Sequence, residues 1–328
     1  MIKKFIFKVI IELLLYSLIL MLIIFSFRMF YFNQEFPMWK SKSDYIERGN
    51  ISKNLILGDS RANAGFSPIG YQKNYYNLSL GGSTTIEAYY TLIKVLENNK
   101  IENIILSLAP FHFQYHDTFL NRTLKFGFFE SDKELFEVIR TSFYYNDLFF
   151  GNKSNDKLIL FYNYFKAYNY YYKNPITLLP ELKNLIYMPK RYFLNKEVYN
   201  KIKKQKGHYL YGESNSSSGI ANEGGLLIFK ASPVLSHYFY NILELASENN
   251  IQLYYIATPF NNSTFQMINE KYFESYNDYF KKIKSDYPAF HWHEKLFYYP
   301  DSCFGDASHL NAKGLEMFHN KVMLIIKE

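Results

Sequence analysis

The sequence predicts an α/β fold, a parallel sheet with helices on both faces, and three observations predict it. Short apolar runs of strand length recur along the chain. Segments with helical periodicity separate several of them. The clearest runs, such as "NLILG" and "IENIILSL", set three aliphatic residues in a row with no polar alternation, the mark of strands covered on both sides.

The elements follow in order. "NLILG" (54–58) reads as a buried strand, "YYNLSL" (75–80) as a second and "IENIILSL" (101–108) as a third. "IQLYYIA" (251–257) is a fourth, and "AFHWH" (289–293) a weaker fifth. Between the second and third, Thr84 and Glu87 stand at capping-box spacing, and Ile86, Tyr90, Ile93 and Leu96 or Glu97 mark one helical face. A second helix starts at Pro233 and runs to about residue 249, leading into the fourth strand; a third, 312–326, closes the chain.

The interval 111–232 breaks this rhythm. It is rich in Tyr, Phe, Asn and Lys, as in "FYNYFKAYNYYYKN", and reads as a mainly helical insertion with a mobile tip at "GESNSSSGIANEGG". Its rings suit either a core or a platform for the apolar faces of sugars, and the core is the favoured reading.

Composition removes several classes of function. With 328 residues, 48% hydrophobic and 20% aromatic, the chain has ample material for a core and is not a disordered segment. The net charge of +7 is modest and partly N-terminal, and no Lys/Arg block interleaved with aromatics marks a nucleic-acid groove. One cysteine, Cys303, excludes an internal disulfide framework and a multi-cysteine zinc site.

Residues 9–27, "VIIELLLYSLILMLIIFSF", form an apolar run about long enough for a helix to cross ~30 Å of hydrocarbon. Its one charge, Glu12, lies four residues after Lys8 and pairs with it on one helix face. Lys3, Lys4 and Lys8 precede the run, which puts the N-terminus in the cytoplasm and the remainder outside. A cleaved signal peptide is the alternative, but bulky Phe27, Arg28, Met29 and Phe30 follow where small residues belong, and a retained anchor is favoured. The expected organisation is therefore an anchor (1–30), a polar linker (31–50) and a folded domain (51–328) interrupted by 111–232.

In an open parallel sheet, ligands bind at the carboxyl ends of the strands. Gly58, Asp59 and Ser60 fall there, after the first strand. Gly58 permits a sharp turn, and Ser60 opens what reads as a helix, where free N–H groups favour negative charge. A serine hydroxyl needs a base, and the base an orienting acid. In "DSCFGDASHLNAKG" (301–314), Asp306 and His309 are three apart on a loop before the last helix, a spacing that lets the carboxylate hold one ring nitrogen while the other faces Ser60.

These residues carry a resemblance. "GDSRA" after one strand, "NLSLGGST" after the next and "DASHLNAKG" before the final helix resemble three sequence blocks of the SGNH (GDSL-type) hydrolase superfamily, in order. The resemblance implies a flavodoxin-like three-layer sandwich with a five-stranded parallel sheet, here with a helical insertion and an N-terminal transmembrane helix. It implies Ser60 as nucleophile, His309 as base and Asp306 as its orienting acid. Asn77, five residues before Gly82, matches the second block, so the backbone N–H groups of Ser60 and Gly82 form the implied oxyanion hole. The family's Gly-x-Asn-Asp block is missing: the third strand runs into "SLAPFHFQYHD", where Ser107 or His112 is the candidate substitute, the alternative being a hole with only two donors.

With Arg61 in place of the usual leucine, the anchor and the insertion, the chain is similar to the membrane-attached branch that includes alginate-type and peptidoglycan O-acetyltransferases and the D-alanyl transfer protein of teichoic acid synthesis. That resemblance implies acyl transfer or ester hydrolysis on a cell-envelope polysaccharide, outside the cytoplasm, beside a multi-pass membrane-bound O-acyltransferase and without a cofactor. Arg61 and Asn77 are then candidate substrate-binding residues; the alternative for Arg61 is an ion pair that fixes the turn. A non-catalytic scaffold of the same fold is the other reading of the whole. "HWHE" (291–294) and the pair His112 and His116 lack a third ligand and are not read as metal sites; Cys303 is read as a packing residue.

Overall fold

The structure, a computed structural model, describes residues 2–31, 36–114, 132–145, 188–211 and 214–326. Five strands form one wholly parallel sheet: β1 (Asn54–Gly58), β2 (Tyr75–Asn77), β3 (Asn103–Ser107), β4 (Gln252–Tyr255) and, after a short β5 (Phe260–Asn261), β6 (His291–Trp292). Their order is β2-β1-β3-β4-β6. β5 pairs separately with β7 (Tyr298–Tyr299). The strand expected to reach residue 80 is regular only to Asn77, yet Leu78 and Leu80 still donate to the carbonyls of Ile56 and Gly58, so the chain stays tied to β1 past the strand's end.

Alternation along each strand decides which helices cover it. Leu55, Leu57, Ile104 and Leu106 face one layer, made by α4 (Thr85–Leu96), α7 (Pro233–Glu248) and, beyond the short α8 (Asn262–Met267), α9 (Glu270–Asp286). Ile56 and Ile105 face the other, with Ala62 of α3 (Ser60–Gly65) and Phe318 and Val322 of α10 (Ala312–Ile325). The result is three layers, helices on sheet on helices. The capping box expected at Thr84 and Glu87 is present at the start of α4. In α9, Tyr272, Tyr276, Phe280 and Ile283 recur at helical spacing and are all fully buried.

The N-terminal region departs from the expectation in one respect. Within the segment expected to be a polar linker, Phe36–Glu47 is a helix, α2, with Met38, Trp39, Lys42 and Ile46 buried. Trp39 packs on Leu80 and Tyr45 stacks on Tyr76, so α2 belongs to the folded domain. Composition concealed this because only one face of α2 is apolar.

Ahead of it, α1 (Ile2–Tyr31) contains the whole apolar run, with Lys8 and Glu12 4.0 Å apart. Side chains at 20–21 and 23–31 lie outside the described residues; among the described residues, no helix is long and apolar enough to cross a membrane.

Of the insertion, α5 (Asp132–Tyr144) and α6 (Met188–Lys204) are described, and α6 lies against α1 and α2. The aromatic run at 161–174 lies outside the described residues.

Candidate active site

The site forms at the carboxyl ends of β1 and β3, the neighbouring strands between which the strand order reverses. Gly58 is required where β1 ends: a Cβ there would stand 1.8 Å from the Ser107 carbonyl oxygen of β3. Asp59 follows, fully buried, with a role the sequence reading did not assign. One carboxylate oxygen accepts from the N–H groups of Arg61 (2.8 Å) and Ala62 (3.1 Å), capping α3, and the other accepts from Ala109 N–H (2.8 Å). Asp59 thus fastens the exit of β1 to the exit of β3. An aspartate immediately ahead of a helix start was the legible signal.

Ser60 opens α3 and meets the distant loop. Its Oγ lies 2.8 Å from His309 Nε2, and His309 Nδ1 lies 2.7 Å and 2.9 Å from the two carboxylate oxygens of Asp306. Asp306 also accepts from the N–H groups of Ser308 and His309, each at 2.8 Å. Burial works to raise the Asp306 pKa, but the His309 hydrogen bond and charge and those two N–H groups outweigh it, and the carboxyl is held down to about 2. As a carboxylate it accepts from Nδ1–H, which leaves Nε2 with a lone pair toward the Ser60 hydroxyl. The three expected residues are therefore in serial contact through His309, in the order needed to pass a proton from hydroxyl to imidazole.

Local hydrogen bonds hold the loop that carries the pair. Phe304 and Leu310 form an antiparallel bridge, Gly305 N–H donates to the His309 carbonyl, and Asn311 caps α10 through Gly314 N–H. The free thiol of Cys303 is buried beside Met317, consistent with packing.

The other expected residues separate. Gly82 has φ +73°, the left-handed region that favours glycine, in the turn between β2 and α4. Asn77 does not face the site: it is fully buried, its amide donates to the Ala62 and Phe66 carbonyls, and its Oδ1 accepts from Ser79 N–H. Its work is to pin the β2 loop to α3, a correction to its expected place as a substrate-binding residue.

Arg61 is corrected likewise. It is buried, with its guanidinium 2.7 Å from Glu223 and over the Phe260 ring. Of the two readings of Arg61, the ion pair is the one formed. Glu223 also accepts from Phe111 N–H, so the segment expected as a mobile tip is pinned beside Ser60. Further contacts hold it: Ser217 N–H donates to the Asp301 carbonyl, and Asn261 donates to the Ser217 and Gly219 carbonyls.

Of the candidate substitutes for the missing block, Ser107 is fully buried and its Oγ has no hydrogen-bond partner among the described residues. His112 Nδ1 lies 2.8 Å from the Ser83 carbonyl and 3.1 Å from Asp59. Both neighbours are acceptors, so Nδ1 carries the hydrogen and His112 ties the Gly82–Ser83 turn to Asp59.

Three residues enter the site unforeseen. The Tyr211 ring lies over the His309 ring, centroids 4.7 Å apart, and its hydroxyl lies 2.9 Å from Asn63 Nδ2. Asn63, one turn after Ser60 on α3, is met on its other side by Lys42 Nζ at 3.2 Å; Lys42 also donates to the Ser79 carbonyl. Burial pushes Lys42 well below the usual lysine range. Nothing local in the sequence marks these: Asn63 directly follows the "GDSRA" motif, but its partners Lys42 and Tyr211 come from segments distant from it.

Elsewhere, His291 stacks on Tyr254 and His293 on Phe297; His116 lies outside the described residues. Among the described residues, no group of three or more His, Cys, Asp or Glu is placed to hold a metal ion. In comparisons with known proteins, no family model and no curated protein sequence matches the chain.

Proposed function

We propose that the protein is a serine-dependent acyltransferase or esterase of the SGNH type, with a flavodoxin-like sheet, anchored by α1 and acting on a cell-envelope polysaccharide outside the cytoplasm. The observation that carries this reading is the continuous contact from Ser60 through His309 to Asp306, at 2.8 Å and 2.7 Å. The strand order β2-β1-β3-β4-β6 supports it, as do the exposed apolar side chains of α1, among them Leu13, Leu14 and Leu18.

In this mechanism His309 Nε2 takes the Ser60 proton as Oγ bonds to the acyl carbon of an ester donor. The tetrahedral oxyanion rests on the Ser60 and Gly82 N–H groups, then collapses as the donor's alkoxide leaves with the proton from His309. A sugar hydroxyl or water next gives its proton to His309 and attacks the acyl-serine, and Ser60 departs with that proton restored. Anchoring favours transfer, because it holds the serine beside a membrane-bound donor such as a multi-pass O-acyltransferase.

Intact mass spectrometry of the full chain in detergent, after incubation with an activated acetyl ester, tests the proposal. An acetyl adduct, absent in Ser60→Ala, is expected. No adduct and no ester cleavage by the unmodified protein would leave the non-catalytic scaffold.

A further inference from the structure

The hydrogen bonds around Asn63 have a definite polarity. An amine brought against the Asn63 amide and the Ser79 carbonyl meets both as a donor, so Asn63 presents Oδ1 to Lys42, 3.2 Å away. That orients the amide, and Nδ2 is the atom facing Tyr211 at 2.9 Å. An amide nitrogen only donates, so the Tyr211 oxygen accepts here and its own proton points away from Asn63. The oxygen stands against the glycine turn after β2, 3.5 Å from the point a Cβ on Gly81 would occupy, while the ring lies on His309. Lys42 is fully buried, and no carboxylate lies within ion-pair range of it among the described residues. Its hydrogen bonds go to the Ser79 carbonyl and to Asn63 Oδ1, the contacts that orient the Asn63 amide.

We infer that Tyr211 is a third oxyanion donor, giving its phenolic hydrogen bond to the anion formed at Ser60 alongside the Ser60 and Gly82 N–H groups, and that Lys42 and Asn63 are the positioning residues that aim it. The inference rests on the acyl-transfer reading above. It assigns a role to the insertion, which supplies the donor that the missing asparagine block would otherwise provide.

The test uses the full chain in detergent and a fluorophosphonate, whose attack by a serine also builds negative charge on oxygen. Labelling is followed by intact mass, and turnover of an activated acetyl ester is measured in parallel. Tyr211→Phe removes one oxygen atom and keeps the ring; it is expected to slow labelling and lower kcat on the order of 10²-fold with KM little changed. Asn63→Asp is the sharper variant. A carboxylate accepts from Lys42 and from Tyr211 alike, so it turns the phenolic proton away from the site. It should match the Tyr211→Phe loss without lowering the melting temperature.

Wild-type rates in both variants, with loss only in Tyr211→Ala, would reduce Tyr211 to a packing residue and overturn the inference. If Asn63→Asp does not fold, Tyr211→Phe decides alone. Absence of labelling in the wild type, or equal labelling of Ser60→Ala, brings down the serine mechanism itself and the inference with it, a result distinct from a normal wild type with unaffected variants.

Discussion

Arg61 and Glu223, separated by 162 positions, form a buried ion pair with nitrogen and oxygen 2.7 Å apart, one residue beyond Ser60. The pair joins the end of the insertion to the turn that presents the serine. Burial opposes the guanidinium's charge, but Glu223 more than restores it and keeps Arg61 protonated. Replacing Glu223 with Gln leaves a buried cation without its counter-charge. Urea unfolding should then show a loss of about 3–5 kcal/mol, and the double change Arg61→Met with Glu223→Leu should recover much of it. A loss under 1 kcal/mol for Glu223→Gln would show that the pair is solvated in solution.

The Ser60, His309 and Asp306 contacts set the order of kinetic losses. Ser60→Ala should abolish the acyl adduct while the melting temperature holds. Asp306→Asn can donate to Nδ1 and so favours the wrong imidazole tautomer, lowering kcat on the order of 10⁴-fold. Because Asp306 is held down to about 2, its carboxylate stays ionised throughout the ordinary assay range. Its contribution to stability is present above its usual value of 3.8 and is lost as the pH falls through about 2. A pH–rate profile of the wild type should therefore show no loss between pH 4 and 3 traceable to residue 306.

His208 gives a second pH dependence, this time in stability. It is buried, with Nε2 3.0 Å from the Ala64 carbonyl, and burial lowers it from 6.5 to about 4. The unfolded chain binds this proton more readily, so stability is full above pH 6.5, falls as the pH drops toward 4 and levels off below that. The change is about 3 kcal/mol at most. Denaturant titrations at pH 7 and 4.5 should differ by a clear fraction of this, and His208→Gln should narrow the difference.

The α2 helix predicts where the chain can be shortened. A chain beginning at Phe36 keeps Trp39 against Leu80, Tyr45 on Tyr76, and Lys42 at Asn63. One beginning at Ile51 loses all three and uncovers that apolar surface. The shorter chain should precipitate or melt well below the longer one in a thermal scan. Equal melting would return residues 36–47 to the status of a linker.

Gly58 is the sharpest steric test. With an added Cβ 1.8 Å from the Ser107 carbonyl oxygen, Gly58→Ala must push β1 from β3 or move Ser60. A loss of about 3 kcal/mol or more is expected, read as a drop in the urea midpoint.

Much of this was legible in the sequence because it is written locally. Leu55, Ile56 and Leu57 announce a strand covered on both faces, Thr84 and Glu87 a helix start, and "GDS" with "DASH" two strand-end and loop motifs. Apolar runs, caps and short motifs are properties of neighbours along the chain, and they specify the parallel sheet and the residues at its rim.

What only the tertiary structure decided is which distant groups meet there. The amide of Asn77 turned to backbone carbonyls, Arg61 found Glu223, and Lys42, Asn63 and Tyr211 linked into a chain that ends on the His309 ring. Each of these is a polar group taken out of water, and such a group must find whatever complementary partner the packing brings near. That partner is set by how helices and insertion close over the sheet, a choice that no local spacing encodes.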